Sequence, residues 1–226
     1  TWSLMGIETD CAIVSDEAER FNFTNEGGVN NTYRFLKNLM GLWTVQRIHA
    51  ELEGKLDFSK LTQLASEAEA FRSLIDFDDP RFNNPRSMMD AIAGFCKETG
   101  QPAPDSPGAF VRCSLESLAL HCRVVLEQLR AAQTKPVNRI HVIGGGSQNK
   151  LLCHMTACAT KLPVLAGPVE ATAMGNIAVQ AMALGHIGSL AEARALIKRS
   201  CRIEEYEPKD GDAWDAAAAK YAALKN

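Results

Sequence analysis

The sequence predicts a mixed α/β fold in which helices cover a central sheet. Short strand-like runs broken by turns open the chain, long amphipathic stretches fill its middle, and a strand–glycine turn–helix–strand–helix order follows Pro136. Strands paired early, then strands alternating with helices, is the order of a sheet with helices packed on its faces.

Trp2 to Ile7 and Cys11 to Val14 read as short strands flanking the turn-prone Glu8-Thr9-Asp10. Phe21 to Thr24 reads as a third strand that ends in the turn Asn25-Glu26-Gly27-Gly28. A long helix is expected from about Asn31 to Leu52, because Phe35, Leu39 and Trp43 recur at i, i+4 and i+8. Residues 53–110 read as helical pieces, at Leu61 to Leu74 and Ser87 to Glu98, interrupted by Pro- and Asn-rich loops. A further long helix covers roughly Pro107 to Gln133.

Beyond Pro136, Arg139 to Ile143 alternates like a strand and runs into Gly144-Gly145-Gly146. Ser147 is placed to cap a helix through Thr160, and Leu162 to Leu165 reads as another short strand. Gly167-Pro168 breaks the chain before a helix of small residues, Ala171 to Leu184, that stops at Gly185. Helices near Leu190 to Ser200 and Ala213 to Lys225 complete the order.

A chain of 226 residues with a net charge of −3 carries no electrostatic footprint for nucleic acid. No apolar run approaches the ~20 residues that span a bilayer, so no membrane partner and a cytoplasmic location are expected. The seven cysteines are dispersed without a C-x-x-C pair, which argues against zinc and against a secreted disulfide framework. Cys96 and Cys113 flank a Pro/Gly-rich loop that can bring them together, and free buried thiols are favoured over a bond. Asp78 and Asp79 read as a solvated turn rather than a working carboxylate pair. The sequence starts inside an apolar stretch with no initiator Met, as a piece of a longer polypeptide does.

The sharpest feature for chemistry is the glycine triplet between a strand and a helix. Glycines let backbone approach a ligand with no Cβ in the way, and a helix N-terminus supplies unpaired N–H groups and positive dipole. A plain turn needs fewer glycines than three in a row, so ligand approach is favoured. A dinucleotide fingerprint requires a third glycine where Asn149 stands, and no Walker A sequence occurs. The helix after Gly167 has Ala171, Gly175 and Ala178 on one bare face, for which tight helix packing is the first reading. Asn38 and Gln46, on the expected early helix, would lie about 12 Å apart along its axis. Each amide is, taken alone, as readily a solvated group as a ligand contact.

Several blocks together carry a resemblance. They are Thr1-Trp-Ser-Leu-Met-Gly6, Thr24-Asn-Glu-Gly-Gly28, Leu36-Lys-Asn-Leu-Met-Gly-Leu-Trp43, Asp79-Pro-Arg-Phe-Asn-Asn-Pro85, Ile143-Gly-Gly-Gly-Ser-Gln-Asn149 and Ala166-Gly-Pro-Val-Glu-Ala171 with Gly175-Asn-Ile177. In this order the sequence resembles the FGGY carbohydrate kinases, and within them the rhamnulokinase-like branch. The resemblance implies an actin-like ATPase (ribonuclease H-like) lobe with a mixed sheet, spanning residues 1–226, with a helical insertion at roughly 53–110. It implies ATP with Mg²⁺ as cofactors and L-rhamnulose as the sugar substrate, phosphorylated at its 1-hydroxyl. By position, Thr1, Gln46, Gly144, Gly145, Gly146 and Asn149 correspond to ATP contacts, Asn38 to a sugar contact, and 170–176 to a connection between lobes. It also implies that the N-terminal lobe, with the general-base Asp, lies upstream of Thr1, so residues 1–226 alone are expected to be inactive. A non-catalytic actin-like module, or a kinase for fuculose or xylulose, are the competing readings.

Overall fold

A computed structural model of the protein describes residues 2–224. It opens with an antiparallel sheet of β1 (Trp2–Thr9), β2 (Thr24–Gly27) and β3 (Tyr33–Met40), in the spatial order β1-β3-β2. Between β1 and β2 in sequence runs a short helix, α1 (Asp16–Arg20), capped by Ser15. The expected strand at Cys11–Val14 is absent. Instead Ile13 N–H donates to Asn25 Oδ1 (2.9 Å) and Ile13 C=O accepts from the Asn25 NH₂ (2.8 Å). The strand expected at Phe21 to Thr24 lies later, as β2, and runs through the Asn25–Gly27 segment where a turn is expected. The backbone reverses further on, where Asn30 and Asn31 adopt left-handed angles.

The long helix expected over 31–52 is two elements, β3 and then α2 (Trp43–Glu51). A spacing of four is a multiple of two, so Phe35 and Leu39 share a face in a strand as well as in a helix. They pack with Phe23, Val125 and Leu129, while Leu36 and Met40 are buried on the opposite face. Asn38 and Gln46 therefore do not share a helix.

Helix α3 (Phe58–Glu67) starts at the cap Asp57, and α4 (Met88–Glu98) at the cap Ser87. The longest helix, α5 (Pro107–Ala132), has Ser106 as its cap and Pro107 in its first turn, where a missing N–H costs nothing. Sixteen of its 26 residues are buried. Its C-terminal half receives Phe35 and Leu39 of β3, and α2, α3, α6 (Lys150–Thr160) and α9 (Gly211–Ala223) surround the rest.

The helix expected to reach Leu74 stops at Glu67. Residues 71–77 run irregularly through the core, with Leu74 and Ile75 fully buried. Such a segment must find partners for its backbone groups. Phe71 N–H donates to Glu116 Oε2 (2.8 Å), Ile75 N–H to Ser117 Oγ (2.9 Å) and Phe77 N–H to Tyr221 Oη (3.2 Å). Gln101 accepts from Leu74 N–H and donates to Leu74 C=O, both at 2.9 Å. Asp78 approaches His121 at 3.6 Å, and Asp79 caps the following turn and pairs with Arg81, so neither is merely a solvated turn residue. All seven cysteines are free, and Cys96 and Cys113 are both buried.

A second sheet contains β4 (Ile140–Val142), β5 (Val164–Ala166) and β6 (Glu204–Tyr206). β4 and β5 are parallel, and β6 is antiparallel to β5. Two helices, α7 (Ala171–Ala183) and α8 (Leu190–Ser200), pack on each other around Ala178, Ile187 and Ala193. The single central sheet expected from the sequence is thus two three-stranded sheets. Among the described residues, the outer edges of β1 and β4 pair with no strand.

Two outcomes test this packing. A Cβ at Gly108 would lie 2.6 Å from Leu64 C=O, so Gly108→Ala forces α3 off α5. Urea unfolding is expected to show a loss of about 2 kcal/mol despite the better helix propensity of Ala. Burial raises the Glu116 carboxyl above its ordinary range, with Arg112 and the Phe71 N–H pulling it back only in part. A raised folded-state pKa means that the stability held by protonated Glu116 is lost as pH rises from the ordinary value through the raised one. Glu116→Gln is therefore expected to gain on the wild type as pH climbs from 4.5, read by urea midpoints at several pH values.

Candidate functional site

The strand β4 leads into the glycine triplet through a parallel register with β5. Gly167 N–H donates to Val142 C=O (2.8 Å), and Gly144 N–H donates to Pro168 C=O (3.0 Å). Gly144 has φ +76 and ψ −166, a conformation open to glycine and costly for any other residue. From there Gly145 to Gln148 make a single 3-10 turn. Ser147, expected to cap the helix, lies inside this turn and donates its hydroxyl to Gly144 C=O at 2.7 Å. The cap is Asn149, whose side-chain oxygen accepts from Leu152 N–H at 2.9 Å. Its amide NH₂ is the part chemically able to donate to a ligand.

The triplet is open on its outer side. A Cβ placed on Gly144, Gly145 or Gly146 would meet nothing else in the protein within 4 Å. Gly144 is needed for its backbone angle, but neither angle nor internal packing requires glycine at 145 or 146. A plain strand-to-helix turn therefore does not account for glycine at 145 and 146.

Gln46 lies in the first turns of α2, half-buried. Helices α2 and α6 both pack on α5, and Val45, Ile48, Leu152 and Met155 belong to one hydrophobic cluster. The element with Gln46 and the helix behind the triplet are thus set on one rigid frame. Asn38 is exposed on β3, directly across from Leu4 of β1. Thr1 lies outside the described residues.

Two groupings escaped the sequence reading. Trp43 Nε1 donates to Asn83 C=O (3.0 Å), and Arg47 reaches Asn84 Oδ1 (3.3 Å) and Pro85 C=O (2.9 Å). With the Arg47 guanidinium over the Trp43 ring, these residues flank Gln46 and latch the 83–86 loop to α2. Glu204 of β6 gathers Lys150, the first residue of α6, at 2.9 Å, and Arg202 at 3.1 Å. Hydrogen bonds from Tyr206 and Lys150 hold its carboxyl below the usual range, so it stays charged beside the triplet's helix. Only the juxtaposition of Asn149 and Lys150 hints at this in the sequence. The bare face of α7 also departs from expectation, since a Cβ at Gly175 meets no other part of the protein and only Ala178 is buried.

Comparison with known proteins fits this geometry. The sequence is 50% identical over 226 residues to the rhamnulokinase of Bacteroides thetaiotaomicron, covering 100% of this protein and 46% of that one. It is 46% identical over 209 residues to the rhamnulokinase of Pectobacterium carotovorum, covering 92% of this protein and 42% of the other. It thus spans less than half the length of these relatives. The crystal structure of xylulose kinase from Rhodospirillum rubrum superposes with a TM-score of 0.69 at 18% identity, over 99% of this protein and 44% of that one. That likeness shows a shared fold, the actin-like fold of sugar kinases, with helices around small sheets. Residues 1–184 match the model of the C-terminal domain of the FGGY family of carbohydrate kinases, and the protein belongs to that family.

Proposed function

We propose that residues 1–226 are the nucleotide-binding, C-terminal lobe of an ATP-dependent ketose kinase that phosphorylates L-rhamnulose at its 1-hydroxyl. The observation that carries the reading is the open glycine triplet, where neither angle nor packing demands glycine at 145 and 146. Backbone without side chains offers a flat surface to a purine. Gly144, Gly145, Gly146 and the amide of Asn149 border the adenosine, Gln46 approaches the same nucleotide from α2, and Thr1 meets its phosphates. Asn38 binds a sugar hydroxyl. The rhamnulokinase names of relatives up to 50% identical support L-rhamnulose as the substrate.

In the reaction the sugar 1-hydroxyl loses its proton to a carboxylate base, its oxygen bonds to the γ-phosphorus, and ADP leaves. The base and the remaining sugar contacts belong to the N-terminal half that the longer relatives carry. Positioning and charge neutralisation supply most of the rate in phosphoryl transfer. No cluster of three metal-ligating side chains occurs among the described residues, so Mg²⁺ would be held through phosphate oxygens and water. Residues 1–226 alone are therefore a nucleotide-binding lobe without turnover. The exposed Ile177 and Val179 of α7 fit a face that the other half covers.

Two experiments test the reading. Gly145→Val adds a side chain that meets nothing else in the protein, so the melting temperature is expected to move by a few degrees at most. ATP affinity, measured by calorimetry, is expected to fall at least tenfold. Unchanged affinity removes the triplet from the nucleotide site. Steady-state assays of the full-length protein with L-rhamnulose, L-fuculose and xylulose are expected to give the highest kcat/KM with L-rhamnulose. A higher value with another ketose reassigns the substrate.

A further inference from the structure

The face of the first sheet that bears Asn38 is buried at Leu36 and Met40 but open along β1, at Trp2 and Leu4. In the antiparallel register Leu4 stands across from Asn38, and Trp2 from Met40, so Trp2, Leu4 and Asn38 emerge on the same side. Directly opposed Cβ atoms are about 5 Å apart and diagonal ones about 7 Å, within reach of one small ligand. The core shared with α5 lies on the other side, where Met5, Ile7, Phe35 and Leu39 pack with Val125 and Leu129. Lys37 also points that way, to Gln128 of α5 at 3.1 Å.

Trp2 is 66% exposed and Leu4 55%, beside an exposed amide. Charge on this face is confined to the far end of the strands, and there it is neutralised. Glu8 pairs with Arg194 of α8, and Glu26 with Arg34, each at 2.6 Å. The Trp2 end thus offers one aromatic surface, one aliphatic group and one amide, with no charged residue among them. That combination suits a neutral molecule with an apolar side and a few hydroxyls, and suits a phosphate poorly.

We propose that Trp2 and Leu4 form the apolar wall that holds the hydrocarbon side of the ketose, and that they set the preference for a 6-deoxy sugar. The proposal rests on the ketose-kinase reading above. Asn38 hydrogen-bonds a hydroxyl while the indole and the leucine cover the C–H groups of the sugar and its terminal methyl. A methyl against an apolar wall gains from burial, whereas the hydroxymethyl of the non-deoxy analogue brings an O–H that this wall leaves unpaired.

The test uses full-length enzyme with Trp2→Ala, Trp2→Phe and Leu4→Ala, assayed with L-rhamnulose, with L-fructose (its 6-hydroxy analogue) and with varied ATP. Trp2→Ala and Leu4→Ala are expected to raise KM for L-rhamnulose about tenfold. The preference over L-fructose narrows by a similar factor, KM for ATP stays within about twofold, and Trp2→Phe retains most of the preference. Sugar added without ATP is expected to change tryptophan emission in the wild type, and that change is lost in Trp2→Phe. Because Trp2→Phe keeps an aromatic ring, the emission test stands even where an alanine variant fails to fold. Active variants with unchanged sugar KM, a parallel rise in KM for ATP, or an emission change that survives in Trp2→Phe overturn the wall alone. A wild-type enzyme that phosphorylates none of the ketoses overturns the kinase reading and the wall together.

Discussion

The first sheet and the helices of the main core are arranged around one buried helix. At 26 residues, α5 is about 39 Å long, and its burial on several sides makes it an axle rather than a surface helix. The β1–β3 sheet lies against its C-terminal half, and α2, α3, α6 and α9 pack along it. A helix surrounded in this way must place polar residues only where a partner meets them. Glu116, Ser117 and His121 satisfy that condition, the first two by accepting from the irregular 71–77 segment and His121 through Tyr221 of α9 and Asp78. Since α2 and α6 both take their position from α5, the helix also sets where Gln46 stands relative to the glycine triplet.

Local signals are the legible ones. The block from β4 through α7 can be read from the sequence within a few residues, because its turns are written in glycine and proline and its strands and helices are continuous. The boundaries of α4, α5 and α8 follow from Ser87, Ser106 and Ser189, each of which accepts from the backbone N–H three residues on. Sequence and structure part where a distant partner decides. Residues 33–40 satisfy a helical spacing and a strand spacing at once, and only pairing with β1 selects the strand. Residues 71–77 carry a helix-compatible pattern, yet their N–H groups are met by side chains 27 to 144 positions away. The Glu204–Tyr206 strand has no apolar alternation of its own and exists as an edge laid against β5.

The candidate site divides in the same way. That three glycines end a strand is plain in the sequence, but whether they serve a turn or a ligand depends on what surrounds them. The space beside Gly145 and Gly146 is open, and no neighbour in sequence encodes open space. Asn38 is legible in the sequence as an amide of interest, but not the element that bears it. Trp2 and Leu4 become its neighbours only through the β1–β3 register, which no local pattern contains. For α7 the small residues suggest close packing, whereas the helix leaves Ile177 66% exposed and shares only a small cluster with α8.

The triplet's geometry also bears on what binding would cost. Behind it, every anchoring group is engaged: Gly144 N–H with Pro168, Gly144 C=O with Ser147, Gly146 C=O with Asn149 N–H, and the Asn149 side chain with α6. In front of it there is no side chain to displace. A loop fixed from behind and bare in front needs little ordering when a ligand arrives, so less of the contact energy is spent on immobilising the protein. A glycine loop without those rear hydrogen bonds would have the opposite property, since glycine loses more conformational freedom than any other residue on being ordered. The hydroxyl of Ser147, instead of capping the helix, therefore has the more specific task of tying the most permissive residue of the loop to the turn that follows.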